Sequence, residues 1–255
     1  MLKDRIEAGE VVLGTMISEF GCSNLVRIMQ AGGYEFAIID CEHGPFDYTQ
    51  LSEMIALGNS IQFPVLVRAP GIDRGFITKV LDMGAEGFLI PMVNTPEDAE
   101  RLVEYAKYAP VGKRGISTTR AHTNYHPPRL KDYMETANHR TILLVQIETK
   151  EAVSNVEDIA MVQGIDALIV GPSDLSSDLG VAGDLNNPVL RKCIEKVAEA
   201  AAARGKHCGT VASNLSYLQM CRETGMNIFS MGSELGMLLK GASDNVSRFW
   251  EGNRR

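Results

Sequence analysis

Short apolar runs and longer amphipathic stretches alternate along this chain from end to end. The strand-like runs are Val11–Met16, Phe36–Ile39, Pro64–Val67, Gly87–Ile90, Ile142–Val145, Ala167–Val170, His207–Val211 and Ile228–Met231. Between them the spacing of apolar residues predicts helices over Ser23–Ala31, Tyr48–Leu57, Asp73–Met83, Pro96–Tyr105, Lys150–Val162, Pro188–Ala203, Leu215–Thr224 and Ser233–Trp250. Eight such alternations, at a repeat of about 25 residues, predict an α/β fold of the (β/α)8 TIM-barrel type. A doubly wound open sheet is the competing architecture, but its G-x-G-x-x-G turn after the first strand is absent.

Local punctuation agrees with this reading. Thr95-Pro96-Glu97-Asp98 combines an N-cap, a proline at the first helical position and acids in the first turn. Ala31-Gly32-Gly33, Met83-Gly84, Gln163-Gly164 and Thr224-Gly225 each place glycine where a helix should stop before the next strand. One connection is out of scale, because about 50 residues separate the fourth and fifth runs, and a long polar loop in a compact barrel is usually functional or disordered. The expected organisation is one barrel domain, residues 1–255, with a long active-site loop insertion at about 106–140. Arg114, Arg120, His122 and Tyr125 in that loop are candidates to face a polar substrate tail.

Composition narrows the partners. Of 255 residues 45% are hydrophobic, enough for one large core or two small ones, and the net charge of −7 comes from interspersed acids rather than a block. No basic stripe is present for nucleic acid or an anionic membrane, so a small molecule is the expected partner. The five cysteines show no C-x-x-C spacing, which argues against a disulfide framework and a thiolate zinc site and fits a reducing cytoplasm. Met1-Leu-Lys-Asp-Arg-Ile6 lacks an apolar signal core, and no run approaches the roughly 18 apolar residues of a membrane span.

The candidate chemistry sits at strand ends, where barrel enzymes place it. The fifth run is followed by Gln146-Ile147-Glu148 and the sixth by Gly171-Pro172-Ser173-Asp174. Carboxylates leaving adjacent parallel strands can converge on one hard divalent cation. Oxygen-only ligands suit Mg²⁺ or Mn²⁺, with Co²⁺ or Zn²⁺ able to substitute. Asp40-Cys41-Glu42-His43-Gly44-Pro45 follows the second run, and the third ends in Arg68. Imidazole suits proton transfer at neutral pH, and Asp40 is placed to fix the His43 tautomer or, alternatively, to cap the following turn. Glu42 reads equally as a second acid or as a salt-bridge partner. Arg68 either pairs with a carboxylate or faces an anionic substrate. Backbone N–H groups starting a short helix at Ser173 would cradle a carboxylate, and a cation beside such a cradle points to an α-keto acid. Lys150 is read as a solvent-facing residue of a first helical turn, not a Schiff-base lysine.

Taken together, the chain resembles the HpcH/HpaI family of metal-dependent (class II) pyruvate aldolases. The phrases that carry the resemblance are Ile38-Ile-Asp-Cys-Glu-His-Gly-Pro45, Val67-Arg68, Ile90-Pro-Met-Val93, Gly112-Lys-Arg-Gly115, Val145-Gln-Ile-Glu-Thr149 and Gly171-Pro-Ser-Asp-Leu175. The resemblance implies reversible cleavage of a 4-hydroxy-2-oxo acid to pyruvate and an aldehyde. It implies Glu148 and Asp174 as metal ligands, His43 and Asp40 as an acid–base pair, and Arg68 as the group on the keto oxygen. It further implies Gln146 near bound pyruvate and Ser173 and Asp174 as the backbone site for its carboxylate. A hexamer built as a trimer of dimers, with the last helix exchanged between barrels, is also implied. Met16 stands where several members have tryptophan, and the segment after Arg114-Gly115 is shorter than in some, which leaves the aldehyde open. The rival readings are a CoA-ester lyase like the citrate lyase β-subunit and a non-catalytic keto-acid-binding barrel.

Overall fold

The computed structural model describes residues 1–251. Eight parallel strands close a barrel in chain order: β1 (Val12–Ile17), β2 (Phe36–Asp40), β3 (Val65–Arg68), β4 (Gly87–Ile90), β5 (Ile142–Ile147), β6 (Ala167–Val170), β7 (His207–Ala212) and β8 (Ile228–Ser233). β8 returns to pair with β1, so no strand keeps an open edge. All eight expected strands are present, each within two residues of its expected bounds.

Alternation along the strands sorts their residues into two cores. Val12, Met16, Phe36, Ile38, Leu66, Leu89, Ile142, Leu144, Ala167, Ile169 and Ile228 form one buried cluster, the filling of the barrel. Leu2 and Ile6 of a short helix, Leu2–Glu7, join that cluster and plug its N-terminal end. The intervening residues, among them Ala37, Ile39, Val65, Val67, Phe88, Leu143, Val145, Leu168 and Val170, pack outward against the helices. Period-two alternation therefore sends Asp40 the same way as Phe36 and Ile38, Arg68 the same way as Leu66, and Gln146 the same way as Ile142 and Leu144. Gly14 makes room inside, since a Cβ there would overlap the Phe36 ring.

Helix ends follow the predicted chemistry. Thr95 and Asp98 form a reciprocal capping box with Pro96 in the first turn, and Asp47 and Asp73 accept from the backbone of their own helices. Gly33, Gly84, Gly164 and Gly225 take φ values of 93°, 99°, 96° and 93°, the left-handed region that ends a helix without a Cβ penalty. The helix expected over Lys150–Val162 is two, Lys150–Ser154 and Val156–Met161. Asn155 breaks it, donating its side-chain amide to the Asn94 carbonyl at 2.8 Å.

The insertion lies elsewhere than expected. It leaves the C-terminal end of helix Pro96–Ala106 and enters the first residue of β5, so both of its ends lie at the N-terminal face of the barrel, opposite the strand C-termini. Lys107 ties these ends together by donating to the carbonyls of Asn138 and Thr141, and helix Leu130–Arg140 fills the return. Arg114 is buried, bonded to Asp82 at 2.6 Å, with its guanidinium 4.6 Å from the centre of the Tyr108 ring. The His122 imidazole is buried against Asp82 and stacks on Tyr133, while Arg120 donates to Ser117 and Tyr125 is exposed. Within this chain these four residues do not line the mouth, and the segment is not a loop over its own active site. A connection that follows a helix emerges at the wrong end for that.

The last helix, Glu234–Glu251, leaves the barrel with only Glu234 buried. Leu238, Leu239, Val246, Phe249 and Trp250 are all exposed along it. No helix among the described residues is long and apolar enough to cross a membrane.

Candidate active site

The strand C-termini bring Asp40, Arg68, Gln146 and Glu148 into one mouth, with His43 on a loop and Ser173 and Asp174 in a first helical turn at the same end. Asp40 and Arg68 are directly paired in the β2–β3 register. Arg68 donates from Nε to Asp40 Oδ1 at 2.8 Å and from a terminal nitrogen to Oδ2 at 2.6 Å, a bidentate fork. The backbone N–H groups of Glu42 and His43 also donate to Asp40 Oδ1, at 3.1 and 3.3 Å. Burial alone would raise the Asp40 carboxyl, but the hydrogen bonds and charge of Arg68, with the two N–H groups, hold it below the ordinary value.

Asp40 is thus the partner of Arg68 and of the turn's backbone. The expected contact between Asp40 and the His43 ring is not made among the described residues. The imidazole is exposed and its Nε2 lies 3.7 Å from Glu42 Oε2. The same Glu42 oxygen is 3.3 Å from Arg68 Nη1, so Glu42 bridges the imidazole and the guanidinium. Burial pushes the Glu42 carboxyl above its ordinary range, opposed by Arg68 and His43 and reinforced by the charges of Asp40 and Asp174.

Glu148 is as deeply buried as Asp40. It is 3% exposed, and burial pushes its carboxyl up to about 7, with the charges of Asp174 and Glu42 adding to the effect. The Met92 N–H donates to Oε1 at 2.6 Å and the Gln146 amide to Oε2 at 2.6 Å. Met92 adopts φ +54° to make that contact, a left-handed conformation that costs on the order of 1 kcal/mol for a side chain of this kind. The strand ends around Glu148 are stitched together, because Thr149 Oγ1 bonds Asn94 Oδ1 while capping the helix at Ala152. Lys150 begins that helix and is exposed, with its backbone N–H on Asp178.

Gly171 closes the site from β6. A Cβ there would fall on Glu148 Oε2 and 3.0 Å from the Gln146 amide nitrogen, so only glycine leaves space beside these two groups. The helix Pro172–Asp178 follows, and no side chain caps its first turn, where Ser173 and exposed Asp174 sit. Gln146 Oε1 is buried and has no hydrogen-bond partner in the protein. A buried acceptor without a donor, a desolvated carboxylate raised to about 7 and a second carboxylate, Asp174, whose charge adds to that rise form an oxygen-only donor set. That set fits a hydrated divalent cation and not a soft metal. Met92 stands in the phrase Ile90-Pro-Met-Val93, which carries the family resemblance, but its contact with Glu148 has no local signature, and Glu234 reads in the sequence only as a first-turn acid.

A closed (β/α)8 barrel that gathers a buried carboxylate and a paired arginine at its strand C-termini defines the class: a barrel of the kind that carries enzyme sites at that face. The chain matches the HpcH/HpaI aldolase/citrate lyase family over residues 22–241, and it belongs to that family. A hydroxypyruvate/pyruvate aldolase of Roseovarius nubinhibens is 31% identical over 97% of this chain and 95% of its own length. A 5-keto-4-deoxy-D-glucarate aldolase of Citrobacter koseri is 36% identical over 83% of this chain and 81% of its own length. The crystal structure of an HpcH/HpaI aldolase from Desulfitobacterium hafniense superposes with a TM-score of 0.94 at 32% identity, covering 98% of this chain and 97% of that one.

Proposed function

We propose that this barrel catalyses the reversible aldol cleavage of a 4-hydroxy-2-oxo acid to pyruvate and an aldehyde, as a carbon–carbon lyase. The observation that carries the reading is the mouth itself: buried Glu148 beside the unpartnered Gln146 Oε1, facing the Arg68–Asp40 fork. The names of the aldolase relatives, at 31% and 36% identity, support it.

In this reading Glu148 and Asp174 hold a divalent cation, Mg²⁺ or Mn²⁺, with Co²⁺ or Zn²⁺ as substitutes. Its charge offsets the negative charge that develops on the substrate's keto oxygen. The Ser173 and Asp174 N–H groups, in an uncapped first helical turn, receive the carboxylate. Arg68, kept in plane by Asp40, donates to the keto oxygen and stabilises it most in the transition state. His43, polarised by Glu42, takes the C4 hydroxyl proton. The C3–C4 bond breaks, its electron pair passes into the enolate of pyruvate and the aldehyde departs. Proton return at C3 then completes pyruvate. Gln146 orients Glu148 and leaves its own carbonyl for a donor in the site.

The exposed apolar residues of helix Glu234–Glu251 support a homo-oligomer in which this helix docks on another copy, and the hexamer implied by the family accommodates it.

Proton NMR of pyruvate in D₂O tests the reading without choosing an aldehyde. Chelator-treated protein should leave the methyl signal intact, and resupplied Mg²⁺ or Mn²⁺ should deplete it. No exchange with any of the four cations would refute the aldolase reading and turn attention to CoA thioesters.

A further inference from the structure

The first residue of the last helix is also a residue of the mouth. Glu234 is 3% exposed and follows directly on Ser233, at the seam where β8 closes against β1. Its Oε1 accepts from the backbone N–H groups of Ser18 at 2.9 Å, Glu19 at 2.6 Å and Phe20 at 3.1 Å. Its Oε2 accepts from the Ser18 N–H at 2.9 Å and the Ser18 hydroxyl at 3.2 Å. One buried carboxylate thus satisfies three consecutive N–H groups of the loop after β1, which no secondary structure would otherwise pair.

That loop in turn supports the loop of His43. A Cβ on Gly44 would lie 2.8 Å from the Ser18 carbonyl oxygen, 2.6 Å from the Phe46 ring and on the Asp40 carbonyl. The His43–Gly44 turn therefore lies flat on the Ser18 backbone with no slack between them. Gly44 N–H bonds back to Asp40 O at 3.1 Å, which ties the turn to the strand carrying the Arg68 partner. Contact runs without a gap from Glu234 through Ser18 and Gly44 to His43.

We propose that Glu234 is a positioning residue for the proton transfer assigned to His43, holding the His43 loop through Ser18 and making the geometry of the mouth depend on how the last helix is seated. The proposal rests on the aldolase reading above. Glu234 does not meet substrate. It fixes the plane on which the His43 turn rests, and a small displacement there is costly because the imidazole must reach one particular proton.

The test compares the wild-type protein with Glu234→Gln, which keeps the volume of the side chain but places an amide N–H₂ against donors. Metal-supplied cleavage of a 4-hydroxy-2-oxo acid that the wild type cleaves, the reaction in which His43 takes the C4 hydroxyl proton, should show kcat lower by about tenfold or more, with KM changed less than about threefold, because Arg68 and the Ser173–Asp174 backbone are untouched. An unchanged kcat, or a kcat that falls only as the folded fraction falls, overturns the proposal. Should Glu234→Gln fail to fold, Glu234→Asp keeps the charge one methylene short, and full activity there overturns it equally. NMR of the His43 imidazole in the same variants reads the loop without turnover. Shifted resonances support the proposal, and resonances identical to wild type refute it, even if wild-type protein exchanges no pyruvate and the aldolase reading itself is what has failed.

Discussion

Arg68 and Asp40 stand opposite each other on neighbouring strands and meet through two hydrogen bonds, so the guanidinium enters the mouth already oriented. The pair is nearly dry, with side-chain exposures of 14% and 4%. Asp40→Ala leaves a buried cation with only Glu42 beside it, and the expected loss of stability is about 3 kcal/mol, measured by urea unfolding. Arg68→Lys should keep the fold while slowing pyruvate exchange by on the order of tenfold or more, since an ammonium cannot span both Asp40 oxygens and still reach substrate. Wild-type kinetics in the lysine variant would remove Arg68 from the chemistry.

Glu148 gives the site a pH dependence whose sign follows from its burial. Its carboxyl is raised to about 7 in the folded protein and lies in the ordinary carboxylate range in the unfolded chain. Between those values the folded state keeps a proton that the unfolded chain has lost. The contribution of Glu148 to metal-free stability is therefore fully present at low pH and declines as pH rises through about 7. A cation reverses this, because it binds the ionised form, and affinity should fall about tenfold for each pH unit below 7. The rise in melting temperature on adding Mn²⁺ should be clearly larger near pH 8 than near pH 6. Equal increments would place the cation away from Glu148.

Glu148→Gln and Asp174→Asn should each nearly abolish metal-dependent exchange while circular dichroism stays that of the wild type. Full turnover in either variant would contradict the ligand assignment.

Gly171→Ala offers a subtler version of the same test. The added methyl group would occupy the place of Glu148 Oε2, so the carboxylate must move or the strand must shift. The expected outcome is a folded protein with Mn²⁺ affinity lower by about tenfold or more, read by titration calorimetry. Unaltered affinity would mean that the gap beside Glu148 serves no ligand.

Leu239→Glu places a charge in the exposed apolar stripe of the last helix, where Leu239 is 63% exposed in the single chain. Light scattering should report a smaller particle than the wild type. An unchanged particle mass would show that this face is not an interface.

Strands and helices were readable because both leave a periodic trace, and the parity of each strand carried Asp40, Arg68 and Gln146 to the mouth with it. The side of the insertion was also implicit in the sequence, since a segment following a helix must start at the N-terminal face. Counting strand to strand hides that, and the arginines and histidine between Arg114 and His122 suggested a substrate loop. Their partners are Asp82, from helix Arg74–Met83, and the Tyr108 and Tyr133 rings from the two ends of the insertion, and such pairings depend on the packed geometry. The same holds for Asp40, whose choice of Arg68 over the His43 ring follows from a strand register that no local motif encodes. Met92 in a left-handed conformation breaks a local preference, as residues at functional sites do.

The residues that would meet pyruvate are the top layer of the same inward stripe that fills the barrel. Asp40 sits two positions above Ile38, Arg68 above Leu66, and Gln146 above Leu144. A single-residue slip in any of these strands would bury a charge among the apolar layers and turn a core residue toward solvent. The pyruvate half of the site is therefore as hard to alter by mutation as the core itself. New aldehydes are open to this scaffold only through the rim loops, where insertions and substitutions leave the stripe in place.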